Sequence, residues 1–226
     1  MPNYVGNILI INAEQNRVNE VLNLIKNEKE NMAIDFEKII PMPAELHIDE
    51  CSTGDYGLAV IKKQNNEDMS IYEEELVKNF NNMCLESKDE ALELGQKYYD
   101  NLKKYGYKTW YDWSRDNWGT KWNAMNTELM DSDSIYFETA WNGVEPLICA
   151  LSEKFPDVEF EYKYADEDTG YNCGEGSVQN GEIDMYYPDG GSTEAYEIAF
   201  EIRPYLEEEY ELVEGKYEYI DSDEEE

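Results

Sequence analysis

Apolar positions along this chain change rhythm several times, and each change marks an element. Residues 4–11 (YVGNILII) form a β-branched run that predicts a buried strand. Val18, Val21, Leu22 and Ile25 then recur at three and four residues, the stripe of an amphipathic helix. Ile34, Phe36, Ile39 and Ile40 follow, closed by Pro41-Met42-Pro43, and read as a second strand because proline cannot continue a central ladder. This opening predicts β–α–β. Residues 44–68, with Gly54, Gly57 and a polar Gln64-Asn65-Asn66, read as a loop. Ile71, Leu76, Val77 and Phe80 predict a helix. A further helix starts at a Ser87/Glu90 capping box, carries Ala91, Leu94, Tyr98 and Leu102, and ends at Gly106.

The rhythm of a sheet then returns. Residues 134–141 (SIYFETAW) alternate as a strand, and Leu147, Ile148, Leu151 and Phe155 make a helix stopped by Pro156. Val158, Phe160, Tyr162 and Tyr164 lie on one face of the next strand, completing a second β–α–β. Strands around 175–179 and 182–187 flank Asn180-Gly181, a strong short hairpin signal. Asp189-Gly-Gly-Ser192 reads as a turn and helix cap. Two β–α–β units in one sheet predict an α+β, ferredoxin-like (split β-α-β) core with a helical insertion at about 70–125 and an added hairpin. The expected organisation is one domain over 1–206 and an acidic C-terminal tail over 207–226, where 11 of 20 residues are acids.

Charge alters the functional picture more than the fold. The 226 residues hold 52 Asp and Glu against 18 Lys and Arg, a net charge of −34. Residues 114–226 carry 31 of those acids and only 6 bases. Such a field repels nucleic acid and anionic membranes and attracts basic surfaces. With 13% aromatic residues the chain has the material for a core, which argues against disorder and against salt adaptation alone. Four scattered cysteines with no C-x-x-C and a single histidine, His47, give no zinc motif. The absence of a signal peptide and of a run of about 20 apolar residues leads to the expectation of a cytoplasmic protein with reduced thiols.

Two stretches invite a chemical reading. Trp110, Trp113, Trp118 and Trp122 suggest a stacking platform, but such a platform also needs a basic groove, and only Arg115 and Lys121 lie nearby. Core packing is the favoured role, and a ligand site using Trp118, Lys121, Trp122 and Asn172 is the alternative. Asp166-Glu167-Asp168, followed by a glycine-rich turn, invites a cation site, but the ligand spacing of a calcium loop is missing and a tight acidic turn is the simpler reading. No nucleophile–base set emerges, and Cys173 sits among acids that blunt a thiol. No catalytic residue, metal or cofactor is expected.

The strings Trp118-Gly-Thr-Lys-Trp-Asn-Ala124, Phe137-Glu-Thr-Ala-Trp141 and Tyr162-Lys-Tyr-Ala-Asp-Glu-Asp-Thr-Gly-Tyr-Asn-Cys-Gly174 resemble the YubB ferredoxin-like family of uncharacterised proteins from bacteriophages and plasmids. The resemblance is densest over 105–187. It implies a ferredoxin-like fold and a mobile-element origin, and no reaction. The acidic tail is not part of that pattern.

The function expected from these readings is a nucleic-acid-mimicking inhibitor of the anti-CRISPR or anti-restriction type. Its partner would be a basic nucleic-acid-binding protein of host defence, since a groove built for phosphates also accepts dense carboxylates. The acids expected at that interface are Asp166, Glu167, Asp168, Glu201, Glu207, Glu208, Glu209 and Glu211. A small-ligand or nucleotide binder is the alternative.

Overall fold

The computed structural model describes residues 3–220. In chain order its elements are β1 (Tyr4–Asn12), α1 (Gln15–Ile25), α2 (Phe36–Ile39), α3 (Ser52–Gln64), α4 (Ile71–Asn81), α5 (Leu85–Tyr105), α6 (Trp110–Trp118), β2 (Met125–Leu129) and β3 (Ser134–Ala140). There follow α7 (Glu145–Lys154), β4 (Glu159–Asp166), β5 (Cys173–Gln179), β6 (Glu182–Tyr186), α8 (Thr193–Ile202), a 3-10 turn (Pro204–Glu209), β7 (Tyr210–Val213) and β8 (Lys216–Tyr219). The chain divides into two compact units. The segment up to Pro41 joins the chain from Arg115 onward in one, and Met42–Ser114 forms the other.

The first unit is built on a six-stranded sheet of order β2-β3-β1-β4-β5-β6, antiparallel throughout. The sequence β1-α1-β2-β3-α7-β4 with spatial order β2-β3-β1-β4 is a split β-α-β arrangement, and the β5–β6 hairpin widens it. Asn180 and Gly181, both at positive φ (50° and 79°), make the tight turn that Asn-Gly favours.

Both faces of β1 are covered, which explains its unbroken apolar run. One face carries Val5, Leu9 and Ile11 with Ile135, Phe137, Phe160 and Tyr162, all buried. Asn7 interrupts this face at the centre of the sheet. Its amide donates to Val5 O (2.9 Å) and to Thr139 Oγ1 (2.9 Å), and its Oδ1 accepts from the Tyr162 hydroxyl (2.5 Å). That hydroxyl in turn accepts from Val144 N (2.8 Å), tying the start of α7 to the sheet. Complete satisfaction is what makes this polar cluster tolerable with no exposure, since one orphaned group would cost about 1–3 kcal/mol. On the other face α8 packs Ala195, Ile198, Ala199 and Ile202 onto Ile8, Ala165 and Cys173.

The predicted second strand is not one. Phe36–Ile39 is a short helix whose cap, Asp35, accepts from Glu37 N, and the Asp35 carboxylate is also held by Asn27 and Asn123. Phe36 and Ile39, three residues apart, are buried on one side of that turn. The strand that completes the first half is β2, whose exposed residues and bulge between Met125 and Glu128 hide any alternation.

The second unit is helical and begins at Met42, well before residue 70. The segment 44–68, expected as a loop, contains α3. Gly57 in α3 and Gly95 in α5 meet at a helix crossing so close that a Cβ on either would collide with the other helix's backbone. The glycines thus serve contact between helices. Tyr98, fully buried on α5, donates to Asp49 O (2.5 Å) and accepts from Cys51 N (3.0 Å). Helix α5 starts two residues before the expected cap: Cys84 is the N-cap, and Ser87 lies inside the first turn with its Oγ 3.0 Å from the Cys84 sulfur. The capping box belongs to α4, where Ser70 and Glu73 exchange hydrogen bonds and Glu73 also holds Lys62 (2.6 Å).

The acidic stretch from residue 207 is structured over most of its described length. The 3-10 turn leads into the β7–β8 hairpin, in register from Tyr210↔Tyr219 to Val213↔Lys216. Tyr210 and Tyr217 stack on Tyr196 and Phe200 of α8 with ring centroids 5.0–5.7 Å apart. The last six residues, 221–226, five of them acids, lie outside the described residues.

Candidate functional site

Strand alternation assigns each side chain of the sheet to one face, and α8 covers only part of the second face. On the open remainder lie Glu128 of β2, Glu138 of β3, Glu159 and Glu161 of β4, Glu175 of β5, and Glu182 and Asp184 of β6. Five of these seven carboxylates are exposed and two half-buried. Lys163 is the one base that the same register places among them. It is engaged by Glu175 (3.0 Å) and by Glu201 of α8. Burial alone lowers its pKa, but the hydrogen bonds to Glu201 and Glu175 outweigh that and raise it, so the ammonium stays charged. A shallow groove of about 640 Å³ runs over this region, lined by Glu159, Glu161, Lys163, Glu175, Asp184 and Tyr186 among others.

At the rim, Tyr136 and Asn126 hold Glu138 by hydrogen bonds of 3.0 and 2.6 Å. Burial, then the neighbouring Glu138, pushes the Tyr136 hydroxyl up to about 12. Strand geometry spaces alternate residues roughly 6.6 Å apart and neighbouring strands about 4.8 Å apart. The result is a fixed lattice of negative charge. It attracts cations and excludes phosphates.

The acids expected at the interface are distributed differently from the expectation. Asp166 is only 4% exposed; it accepts from Asn172 Nδ2 (2.8 Å), Asp168 N (3.0 Å) and Asn3 Nδ2 (3.1 Å), and so organises a turn. It is therefore withdrawn from the docking set. Glu167 and Asp168 are exposed at the β4–β5 connection. Glu201 is exposed and borders the open face through Lys163. Glu207, Glu208 and Glu209 are exposed on the 3-10 turn, and Glu211 on β7.

The alternative ligand set also divides. Trp118 is buried; its indole nitrogen donates to Ile40 O (2.9 Å) and its ring meets Phe36 edge-on at 5.9 Å, so it is a core residue. Lys121, Trp122 and Asn172 do come together, around Trp141. The Lys121 ammonium lies 4.5 Å from the Trp122 ring centroid and 5.1 Å from that of Trp141, and Asn172 donates to Trp141 O (2.9 Å). Trp141 has φ +75°, a strained conformation for a bulky residue, held by these contacts. Thr120 donates to Ala140 O (2.8 Å) and accepts from Ala140 N (3.0 Å), pinning the loop to the end of β3.

Chemistry elsewhere is sparse. Cys173 is buried, and burial followed by nearby Glu175 raises its thiol pKa. Among the described residues no group of three or more His, Cys, Asp or Glu side chains is placed to hold a metal ion. No described helix is long and apolar enough to cross a membrane.

The open-face acids occupy the polar half of an alternation whose apolar half defines each strand. Glu159 and Glu161 alternate with Val158, Phe160 and Tyr162, and Glu182 and Asp184 with Ile183 and Met185, so the signal was the other half of the same pattern.

No curated protein matches the sequence. A solved structure, the crystal structure of protein api92 from Yersinia pseudotuberculosis, aligns with 84% of this chain and 99% of its own at 11% identity and a TM-score of 0.37. Residues 117–205, the stretch from the end of α6 through α8, match the family described as the ferredoxin-like domain in Api92-like protein.

Proposed function

We propose that this protein is a non-enzymatic decoy that binds a basic, nucleic-acid-binding protein through the open acidic face of its sheet. The observation that carries the reading is the ratio among the strand side chains of that face: seven carboxylates on rigid strands against one lysine, itself already paired, while the buried Arg203 is spent on backbone carbonyls. A partner groove lined with Lys and Arg for phosphates meets a comparable density of charge here. A host-defence nuclease or surveillance complex is the partner class, and the setting is the cytoplasm of a host cell, with the chain phage- or plasmid-borne as the YubB resemblance implies.

The test is a comparison of the wild type with the variant Glu159→Gln/Glu161→Gln/Glu182→Gln/Asp184→Asn. The wild type is expected to capture a nucleic-acid-binding protein from host lysate and to release it to duplex DNA. The variant should bind that protein more weakly, with a flatter salt dependence. Equal affinity and equal salt slope would sink the decoy reading. The convergence of Lys121, Trp122 and Asn172 on Trp141 favours a second reading, a small-ligand site at that stack. Under it Trp122→Ala abolishes function while the acid variant keeps it.

A further inference from the structure

The sheet ends at β6, and hydrogen-bond direction along the sheet shows what that end offers. In an antiparallel ladder, residues alternate between bonding to one neighbour and bonding to the other. Trp141 N to Asn3 O (3.0 Å) and Ile11 N to Asp133 O (2.9 Å) place the odd-numbered residues of β1 toward β3. Glu167 N to Tyr4 O (2.9 Å) places the even-numbered ones toward β4, and Asp166 N to Asn172 O (3.2 Å) turns the even-numbered residues of β4 toward β5. Carried across the register, this gives Glu182, Asp184 and Tyr186 to β5. The backbone N–H and C=O groups of Ile183 and Met185 are left pointing away from the sheet.

Natural edges of this kind are blunted by charged side chains, by proline, by a bulge or by a covering segment. Strand β6, Glu-Ile-Asp-Met-Tyr, has no proline and pairs with β5 at all five positions without a shift; its charges, Glu182 and Asp184, guard it against acidic strands and not against basic ones. Four of its five residues are exposed, and Tyr187 beyond it is exposed as well.

The geometry points to β6 as a strand-addition site for an extended basic segment of the partner protein. The segment would carry Lys or Arg on the face of Glu182 and Asp184 and β-branched or apolar residues on the face of Ile183 and Met185. Main-chain bonds to Ile183 and Met185 hold such a strand, and cross-strand pairs select it. Charge decides the occupant. A second copy pairing edge to edge brings Glu182 and Asp184 of both chains together and is repelled, whereas a basic strand is attracted. The inference rests on the decoy reading and specifies how the acidic face is engaged.

The probe is a short peptide alternating lysine and valine, with a scrambled peptide of the same composition as control. Binding is measured by fluorescence anisotropy, and exchange of the Ile183 and Met185 amides by NMR. Preferential binding of the alternating peptide, with both amides slowed, is the expected result. Met185→Pro removes only an outward-facing donor and should weaken binding about tenfold. Asp184→Lys should weaken binding of the alternating lysine–valine peptide more than that of the scrambled one, which keeps the proposal testable if the proline variant folds poorly. Equal binding of alternating and scrambled peptides, with unchanged amide exchange, overturns strand addition and leaves the decoy reading standing. Unchanged affinity and salt slope of partner capture in the acid variant, with the wild-type peptide result intact, sinks the decoy reading and leaves strand addition standing.

Discussion

Asp166 accepts three hydrogen bonds, two from Asp168 and Asn172 of its own turn and one from the distant Asn3, and its burial converts a surface-type residue into a turn organiser. Asp166→Asn replaces one acceptor oxygen with a donor that faces other donors. It should lower stability by about 1–3 kcal/mol in thermal melts, while partner affinity at a temperature where the variant is folded stays unchanged. Glu73 is the carboxylate with the clearest link to pH. Lys62, then the Ser70 backbone of the capping box, hold it down at about 2. A carboxylate with a folded pKa below its unfolded value stabilises above the unfolded pKa, and that contribution is lost as pH falls through the folded one. The contribution of Glu73 is therefore full above about 4.5 and disappears between about 4.5 and about 2. In Glu73→Gln the acid branch of the stability–pH curve should flatten over that window; an unchanged slope there would count against the pair.

At the scale of elements, the helix crossing and the terminal hairpin invite direct tests. Gly57→Ala places a methyl group against the Ala91 carbonyl, and with backbone on both sides the clash cannot relax cheaply. A loss of about 2–3 kcal/mol is expected in urea unfolding. Deleting the chain after Glu209 strips Tyr210 and Tyr217 from Tyr196 and Phe200, and should raise binding of a hydrophobic dye as α8 is uncovered.

Elements with strong periodicity were legible in the sequence: β1, α1, α4, β3, α7, β4 and the Asn-Gly hairpin. Those that failed did so for specific physical reasons. Phe36 and Ile39 fit a strand or one helical turn equally well until Asp35 is seen to cap them. Gly54 and Gly57 signal a loop by composition and a close helix contact by structure. β2 is a bulged edge strand with little to bury, and only pairing with β3 reveals it. For the candidate site, the amount and sign of charge were readable, whereas which acids share a face depends on the register of the whole six-stranded sheet.

The molecule as a whole is electrostatically uneven. The unit containing the sheet holds 37 acids against 10 bases, while Met42–Ser114 holds 15 against 8. Self-repulsion is thus concentrated in the sheet unit, and salt should relieve it. The melting temperature is expected to rise as ionic strength goes from about 0.01 to about 0.15 M, where the screening length shrinks from about 30 to about 8 Å. In the four-site acid variant the rise should be smaller. A salt-independent melting temperature would show that the carboxylates are already neutralised within the fold.

The placement of the helical unit between α1 and β2 also has a consequence for synthesis. β1 lies at the centre of the sheet, yet both of its neighbours, β3 and β4, are translated only after Met42–Ser114 is complete. At roughly 5–20 residues per second, the ribosome takes on the order of ten seconds to reach them. During that interval the nascent chain carries an apolar strand with two open edges and no template. Val5, Leu9 and Ile11 are then a binding site for a chaperone before they are a core, so stalled chains ending ahead of residue 134 should crosslink to chaperones through β1.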